Sequence, residues 1–328
     1  NMNILITEPK DYSKKALDIY KKLGRVCFCL PRGASAKWGV KLLGQEKLAD
    51  ILVIGLKYQI DKKFLDQTPN LKIIASPVTG MNHIDLNYLK SKGIKLISLR
   101  GKKSFLRNVP STAEETFALI LALLRKLPWA FDSVKNSSWD RIEWRGHQLM
   151  NKTIGLLGFG RFGKIVARYA KAFNMNVIAC DPNVSEKFMK SRGGEEVSMD
   201  ELFKKSDIVS LHVLLTDDTQ NLVKEKHLKL MKPSAYLINT ARAELIEKDA
   251  LYNALKNKWI AGAAVDVMWD EYSDGSHLKK DPLWNYAKKN NNLIILPHIG
   301  GATFEAMEVT QDFIAELVFK DFKNKKIA

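Results

Sequence analysis

The chain has 328 residues, 46% of them hydrophobic, with 52 Lys and Arg against 36 Asp and Glu for a formal net charge of +16. That length suggests about two domains, each with enough apolar residues for a core. No apolar run approaches the roughly 20 residues of a membrane helix, the start of the chain lacks the pattern of a secretory signal, and the cations are scattered without interleaved aromatics, so neither a membrane nor a nucleic-acid partner is expected.

From residue 3 onward, short strands alternate with helices. Strands are predicted at 3–6, 25–30, 51–54, 72–75 and 94–97, with a helix from Ser13 to Leu23 ending at Gly24 and further helical stretches between most of the others. Short apolar strands alternating with helices predict a parallel sheet covered on both faces. Cys27 and Cys29 fall on one strand, where i and i+2 share a face, and read as packing residues. With Cys180 they form no metal spacing, so a reduced, cytoplasmic protein without a metal is expected. This first unit ends near Phe105, after the polar Gly101-Lys102-Lys103-Ser104. Pro110 then opens a helix predicted over 112–127, apolar nearly all round and therefore buried, with Thr112-x-x-Glu115 read as a capping box.

Residues 153–182 are the most informative stretch. Gly158-x-Gly160-x-x-Gly163 directly follows the apolar run 154–157; helical spacing of Ile165, Val166, Tyr169, Ala170 and Phe173 comes next, and a second apolar run, 177–179, leads to Asp181. In such a unit Gly158 makes the tight turn, Gly160 lets backbone approach a pyrophosphate, and Gly163 lets helix pack closely on strand. The N–H groups at the helix start then face the phosphates. Asp181 accepts hydrogen bonds from the adenosine ribose and repels a 2′-phosphate, which selects NAD over NADP. Further strands are predicted at 208–212, 235–239, 261–265 and 293–296, and a last helix over 303–319 returns to the first unit. Asn239-Thr240-Ala241-Arg242, Asp266, Glu271 and Pro297-His298 all fall at or just after strand ends, where ligands bind in sheets of this kind. Arginine, aspartate, glutamate and histidine so placed form a candidate acid–base site. His83, His212 and the tryptophans Trp38, Trp139, Trp144, Trp259, Trp269 and Trp284 read as packing, loop or interface residues.

On these residues the chain resembles the D-isomer-specific 2-hydroxyacid dehydrogenases, a family that includes phosphoglycerate, glycerate/hydroxypyruvate and D-lactate dehydrogenases. The motifs are Gly80-Met81-Asn82-His83-Ile84-Asp85, Thr112-Ala113-Glu114, residues 155–182, Asn239 to Arg242, Ala264-Val265-Asp266-Val267 and Pro297-His298-Ile299-Gly300-Gly301-Ala302-Thr303. The resemblance implies two doubly wound parallel-sheet α/β domains: a Rossmann NAD-binding domain, 106–296, inserted into a flavodoxin-like substrate domain, 1–105 and 297–328. It implies Arg242 as the holder of the substrate carboxylate, His298 as acid/base and Glu271 as its partner. Gly158, Gly160, Arg161, Phe162, Gly163, Asp181, Thr112, Thr240 and Asp266 would bind NAD. Val78, Thr79 and Gly80 would offer backbone N–H groups to the substrate carboxylate, and Lys57 would meet a distal anion. The substrate would be a small 2-hydroxy or 2-oxo acid, and the protein a homodimer.

Ala243 follows Arg242 where the family has glycine, and His212-Val213-Leu214 replaces the commoner His-x-Pro. The stretch 100–109, with Arg100, Lys102, Lys103 and Arg107, replaces a shorter turn and points to a phosphorylated or multiply anionic substrate such as 3-phosphoglycerate or glycerate. The high positive charge itself reads as compositional, with steering of an anionic substrate as the other reading. The chain stops after the last helix, so no regulatory C-terminal domain and no amino-acid feedback are expected. Formate- or phosphite-type dehydrogenation, and an NAD-sensing corepressor-like role, are the alternatives on the same framework.

Overall fold

The computed structural model describes residues 2–28, 46–56, 58–271, 275 and 278–327. Lys57, Cys29 and Trp38 lie outside these residues. The chain divides into two units: Asn1–Val109 with Tyr272–Gly275 and Ala302–Ala328, and Pro110–Glu271 with Ser276–Gly301. The last crossing falls at 301–302, which leaves His298 in the second unit.

In the first unit, β1 (Met2–Ile6), β2 (Gly24–Phe28), β3 (Ile51–Val53), β4 (Ile73–Ser76) and β5 (Lys95–Ser98) form a parallel sheet in the order β2-β1-β3-β4-β5. All three residues of β3 and all four of β4 are buried, as expected for strands covered on both faces. The strand order reverses between β1 and β3, the point where ligands of such sheets bind. One face is covered by helix Lys14–Lys21, which buries Ala16 and Tyr20, and by helix Phe304–Ile327, which buries Ile314, Ala315 and Val318 in the same core. Phe105 and Phe313 stack with ring centroids 3.9 Å apart, and Gln311 Oε1 accepts the Ser13 N–H at 2.8 Å. That last helix runs well past its predicted end at Phe319.

The second unit holds β6 (Thr153–Leu157), β7 (Asn176–Cys180), β8 (Glu195–Glu196), β9 (Ile208–Leu211), β10 (Tyr236–Asn239), β11 (Gly262–Val265) and β12 (Leu293–Ile295), parallel in the order β12-β11-β10-β9-β6-β7-β8. The reversal lies between β6 and β9, so β6 delivers its glycine loop to the switch point. β8 is two exposed glutamates, and nothing in its apolar pattern predicts a strand.

Two local expectations are corrected. The helix predicted over 112–127 is Ser111–Leu124, and a separate helix, Leu127–Lys135, follows because Lys126 takes the left-handed conformation at φ +55°. Nor does Thr112-x-x-Glu115 form a capping box. The helix begins one residue earlier, after Pro110, with no side-chain cap. Among the tryptophans, Trp259 packs against a core cluster, whereas Trp139 is 89% exposed and is no core residue. His83 is fully buried, and His212 shares a 2.9 Å hydrogen bond with Ser210 Oγ.

Candidate active site

The glycine loop has the shape its sequence predicts. Gly158 sits at φ +93°, and a Cβ there would lie 2.7 Å from the His212 carbonyl oxygen, so only glycine is tolerated without strain. A side chain on Gly163 would run into the Gly158 carbonyl oxygen, while the Cβ direction of Gly160 meets open space. Helix Arg161–Ala172 starts at Gly160 with no side-chain cap. Its first N–H groups and the positive end of its dipole are therefore turned toward the place a pyrophosphate would take. Asp181, just beyond β7, accepts the Phe159 N–H at 2.8 Å through Oδ2 and the Asn183 N–H at 2.9 Å through Oδ1. The acid is thereby fixed against the glycine loop. The Arg161 guanidinium lies 3.8 Å from the Phe162 ring centroid. Burial lowers its pKa to about 10, which leaves it charged at neutral pH. The open cradle, the helix start and the fixed carboxylate all fit NAD.

Beyond the ends of β11 and β12, His298 meets Glu271, and Asp266 holds the residues that follow His298. His298 Nδ1 and Glu271 Oε1 are 2.8 Å apart, and Glu271 Oε2 accepts the Met268 N–H at 3.2 Å. Both side chains of the pair are largely buried, 21% and 15% exposed. The contact engages Nδ1 and leaves Nε2 outside it. Neighbouring Asp270, at φ +58°, is not the residue that meets the imidazole. His298 itself has φ +56°, a conformation an L-residue keeps only when its surroundings impose it. Asp266 supplies that constraint: its Oδ1 accepts the Ile299 N–H and its Oδ2 the Gly300 N–H, both at 2.8 Å.

Arg242 is half-buried just after β10. Its backbone is held by Asn239, whose Nδ2 donates to the Arg242 carbonyl at 2.9 Å and whose Oδ1 accepts the Ala241 N–H at 3.0 Å. Arg242 Nη1 also donates to the Ala241 carbonyl at 2.6 Å. Thr240 Oγ1 lies 2.8 Å from Thr116 Oγ1, which in turn donates to the Thr112 carbonyl at 2.8 Å, tying the loop to helix Ser111–Leu124. Asn239 and Thr116 are thus supports of the Arg242 loop. Asn239 could have been found as the asparagine that opens the Arg242 loop, and Thr116 as one turn beyond Thr112 on the same helix face.

Glu115, Arg242, Glu271 and His298 all belong to the second unit, as do Thr112, Thr240 and Asp266. Val78, Thr79 and Gly80 belong to the first, half-buried just past β4. The Gly55 N–H, beyond β3, donates to the Glu8 carboxylate at 3.1 Å. Arg100, Lys102, Lys103 and Arg107 are exposed beyond β5, the edge strand of that sheet.

A model of the family "D-isomer specific 2-hydroxyacid dehydrogenase, NAD binding domain" matches residues 117–300. A glyoxylate reductase of Thermococcus litoralis is 37% identical over 283 residues, 84% of this chain and 81% of that protein. A D-3-phosphoglycerate dehydrogenase of Methanocaldococcus jannaschii is 34% identical over 320 residues, 97% of this chain and 57% of that protein. Among solved structures, a D-lactate dehydrogenase from Aquifex aeolicus complexed with NAD and lactic acid superposes with a TM-score of 0.81 at 31% identity, covering 98% of this chain and 96% of that one.

Proposed function

Because this chain belongs to the D-isomer-specific 2-hydroxyacid dehydrogenase family and uses NAD, we propose that it interconverts a compact D-2-hydroxy acid and its 2-oxo acid at a site built from Arg242, Glu271 and His298. The observation that carries this reading is the buried 2.8 Å contact between His298 Nδ1 and Glu271 Oε1. It holds the ring in one orientation and supports Nε2 as the atom that moves the proton. NAD, when bound, supplies or takes up the hydride at C2 of the substrate. In reduction His298 gives a proton to the C2 oxygen; in oxidation it takes that proton back. Arg242 offers its planar fork to the substrate carboxylate.

One feature of the first unit favours a small substrate side chain over a phosphorylated one. The cations at 100–107 follow the edge strand, with β4 between that strand and β3. The likeness to glyoxylate reductases supports the same choice. The deciding experiment is NADH oxidation with glyoxylate, hydroxypyruvate, pyruvate, branched 2-oxo acids and 3-phosphohydroxypyruvate. Glyoxylate or hydroxypyruvate is expected to give the highest kcat/KM. A preference for 3-phosphohydroxypyruvate would overturn the substrate assignment, and no turnover with any of them would overturn the activity.

Cofactor choice is assigned to Asp181. In Asp181→Asn the amide oxygen can still accept the Phe159 N–H, so the glycine loop is kept while the charge is lost. The ratio of kcat/KM with NADH to that with NADPH is expected to fall at least about tenfold, since two like charges some 4 Å apart near a protein surface repel by about 4 kcal/mol. An unchanged ratio would show that Asp181 does not read the ribose.

A further inference from the structure

Glu115 has no role in the site as described so far, yet its side chain reaches into it. A Cβ built on Gly300 would lie 2.5 Å from Glu115 Oε2, 3.1 Å from Thr112 Cγ2 and 3.2 Å from Asp266 Oδ2. The Glu115 carboxyl and Asp266 thus both border the small space beside Gly300, and a methyl group there would run into Glu115 Oε2. Both Glu115 oxygens are shut off from solvent, and among the described residues no N–H or hydroxyl donates to either. As two carboxylates, Glu115 and Asp266 would be acceptors facing acceptors. A single proton between them turns that repulsion into a short, charge-assisted O–H···O contact.

We propose that Glu115 is a positioning residue for the reaction: protonated, it donates to Asp266, so that the pair carries one negative charge and Asp266 keeps hold of the Ile299 and Gly300 N–H groups that aim His298. The proton belongs on Glu115 because only Asp266 has backbone donors and the His298 ring to stabilise its charge. Burial, then the Asp266 charge, pushes the Glu115 carboxyl up to about 8. Burial also raises Asp266, opposed by its backbone donors and by His298. The groups facing the pair are therefore His298 from its loop and the uncharged Thr112 and Gly300, with Glu271 one contact further away on His298.

The consequence is a site built for neutral pH that loosens when Glu115 ionises. In the unfolded chain a glutamate releases its proton near pH ~4.3, whereas the folded protein keeps it to about pH 8. Between those values the folded state binds the extra proton, so its stability falls as pH rises and levels off above the folded pKa.

This inference rests on the proposed 2-oxo acid reduction for one of its two measurements and is independent of it for the other. Glu115→Gln keeps the shape and gives Asp266 a permanent N–H donor; Glu115→Leu keeps the bulk and gives none. For the protein without substrate, the melting temperature of wild type relative to the Gln variant is expected to drop steadily from pH 5 to pH 8. Parallel curves would overturn the proposal. In turnover, wild type is expected to lose kcat on an alkaline limb near pH 8 that the Gln variant lacks. The Leu variant is expected to lose about tenfold in kcat at pH 7, as a site whose reacting group is slightly misaimed does, and Gln to restore it. An alkaline limb unchanged in the Gln variant would equally overturn the proposal. Absence of turnover in wild type would sink the proposed activity alone and leave the melting curves to decide on Glu115.

Discussion

Replacing His298 by asparagine is expected to cut kcat by about 10²- to 10⁴-fold, the usual contribution of a positioned acid–base group. NADH binding, read by fluorescence titration, should change by less than about threefold, because the hydrogen bonds that fix Asp181 against the glycine loop come from the Phe159 and Asn183 N–H groups and not from the imidazole. Asparagine is the better test because the residue sits at φ +56°. That conformation costs most L-residues roughly 1–2 kcal/mol, and asparagine is among the few that visit it readily. Alanine would mix a backbone penalty into the kinetic loss. If His298→Asn turns over a 2-oxo acid as fast as wild type, His298 is not the proton carrier, and the contact with Glu271 is only structural.

Arg242→Gln is expected to lower kcat/KM for the 2-oxo acid by roughly 10²- to 10³-fold, in line with about 2–5 kcal/mol for removing one partner of a desolvated charge pair. Most of the loss should appear at the substrate carboxylate, so the KM for the 2-oxo acid rises while that for NADH stays near its wild-type value. Asn239 holds the loop backbone through the Arg242 carbonyl and the Ala241 N–H, not through the guanidinium. The loop should therefore survive the exchange. Arg242→Lys should recover only part of the loss, because an ammonium lacks the planar fork that grips a carboxylate with two bonds. An unaltered KM for the 2-oxo acid in the Gln variant would remove Arg242 from substrate binding.

What could be seen in the sequence was whatever local spacing encodes. The turn at Gly158, the close packing at Gly163 and the acid at Asp181 lie within one strand–helix–strand unit, so their geometry follows from chemistry a few residues apart. The strand-end placing of Arg242, Glu271 and His298 followed from the alternation of short apolar runs. Glu115 shows where such reading stops. Locally it sits three residues after a threonine at a helix start and looks like a cap; its true neighbour, Asp266, comes from the end of a strand distant in sequence. The break at Lys126 escaped for a related reason: nothing in Arg125-Lys126-Leu127 lacks helix propensity, and the left-handed turn between the two helices is set outside that tripeptide. β8 escaped because two exposed glutamates have no apolar pattern to detect, and only pairing with β7 makes them a strand.

The arrangement of the chain also orders its synthesis. Ile314, Ala315 and Val318 are fully buried in the core that β1 and β3 begin. The second unit, in contrast, draws its strands from one nearly continuous stretch. Domains fold as units while the chain emerges from the ribosome at roughly 5–20 residues per second. The nucleotide-binding sheet can therefore close while the earlier strands still lack part of their apolar cover, and the half that is made first is the half that finishes last.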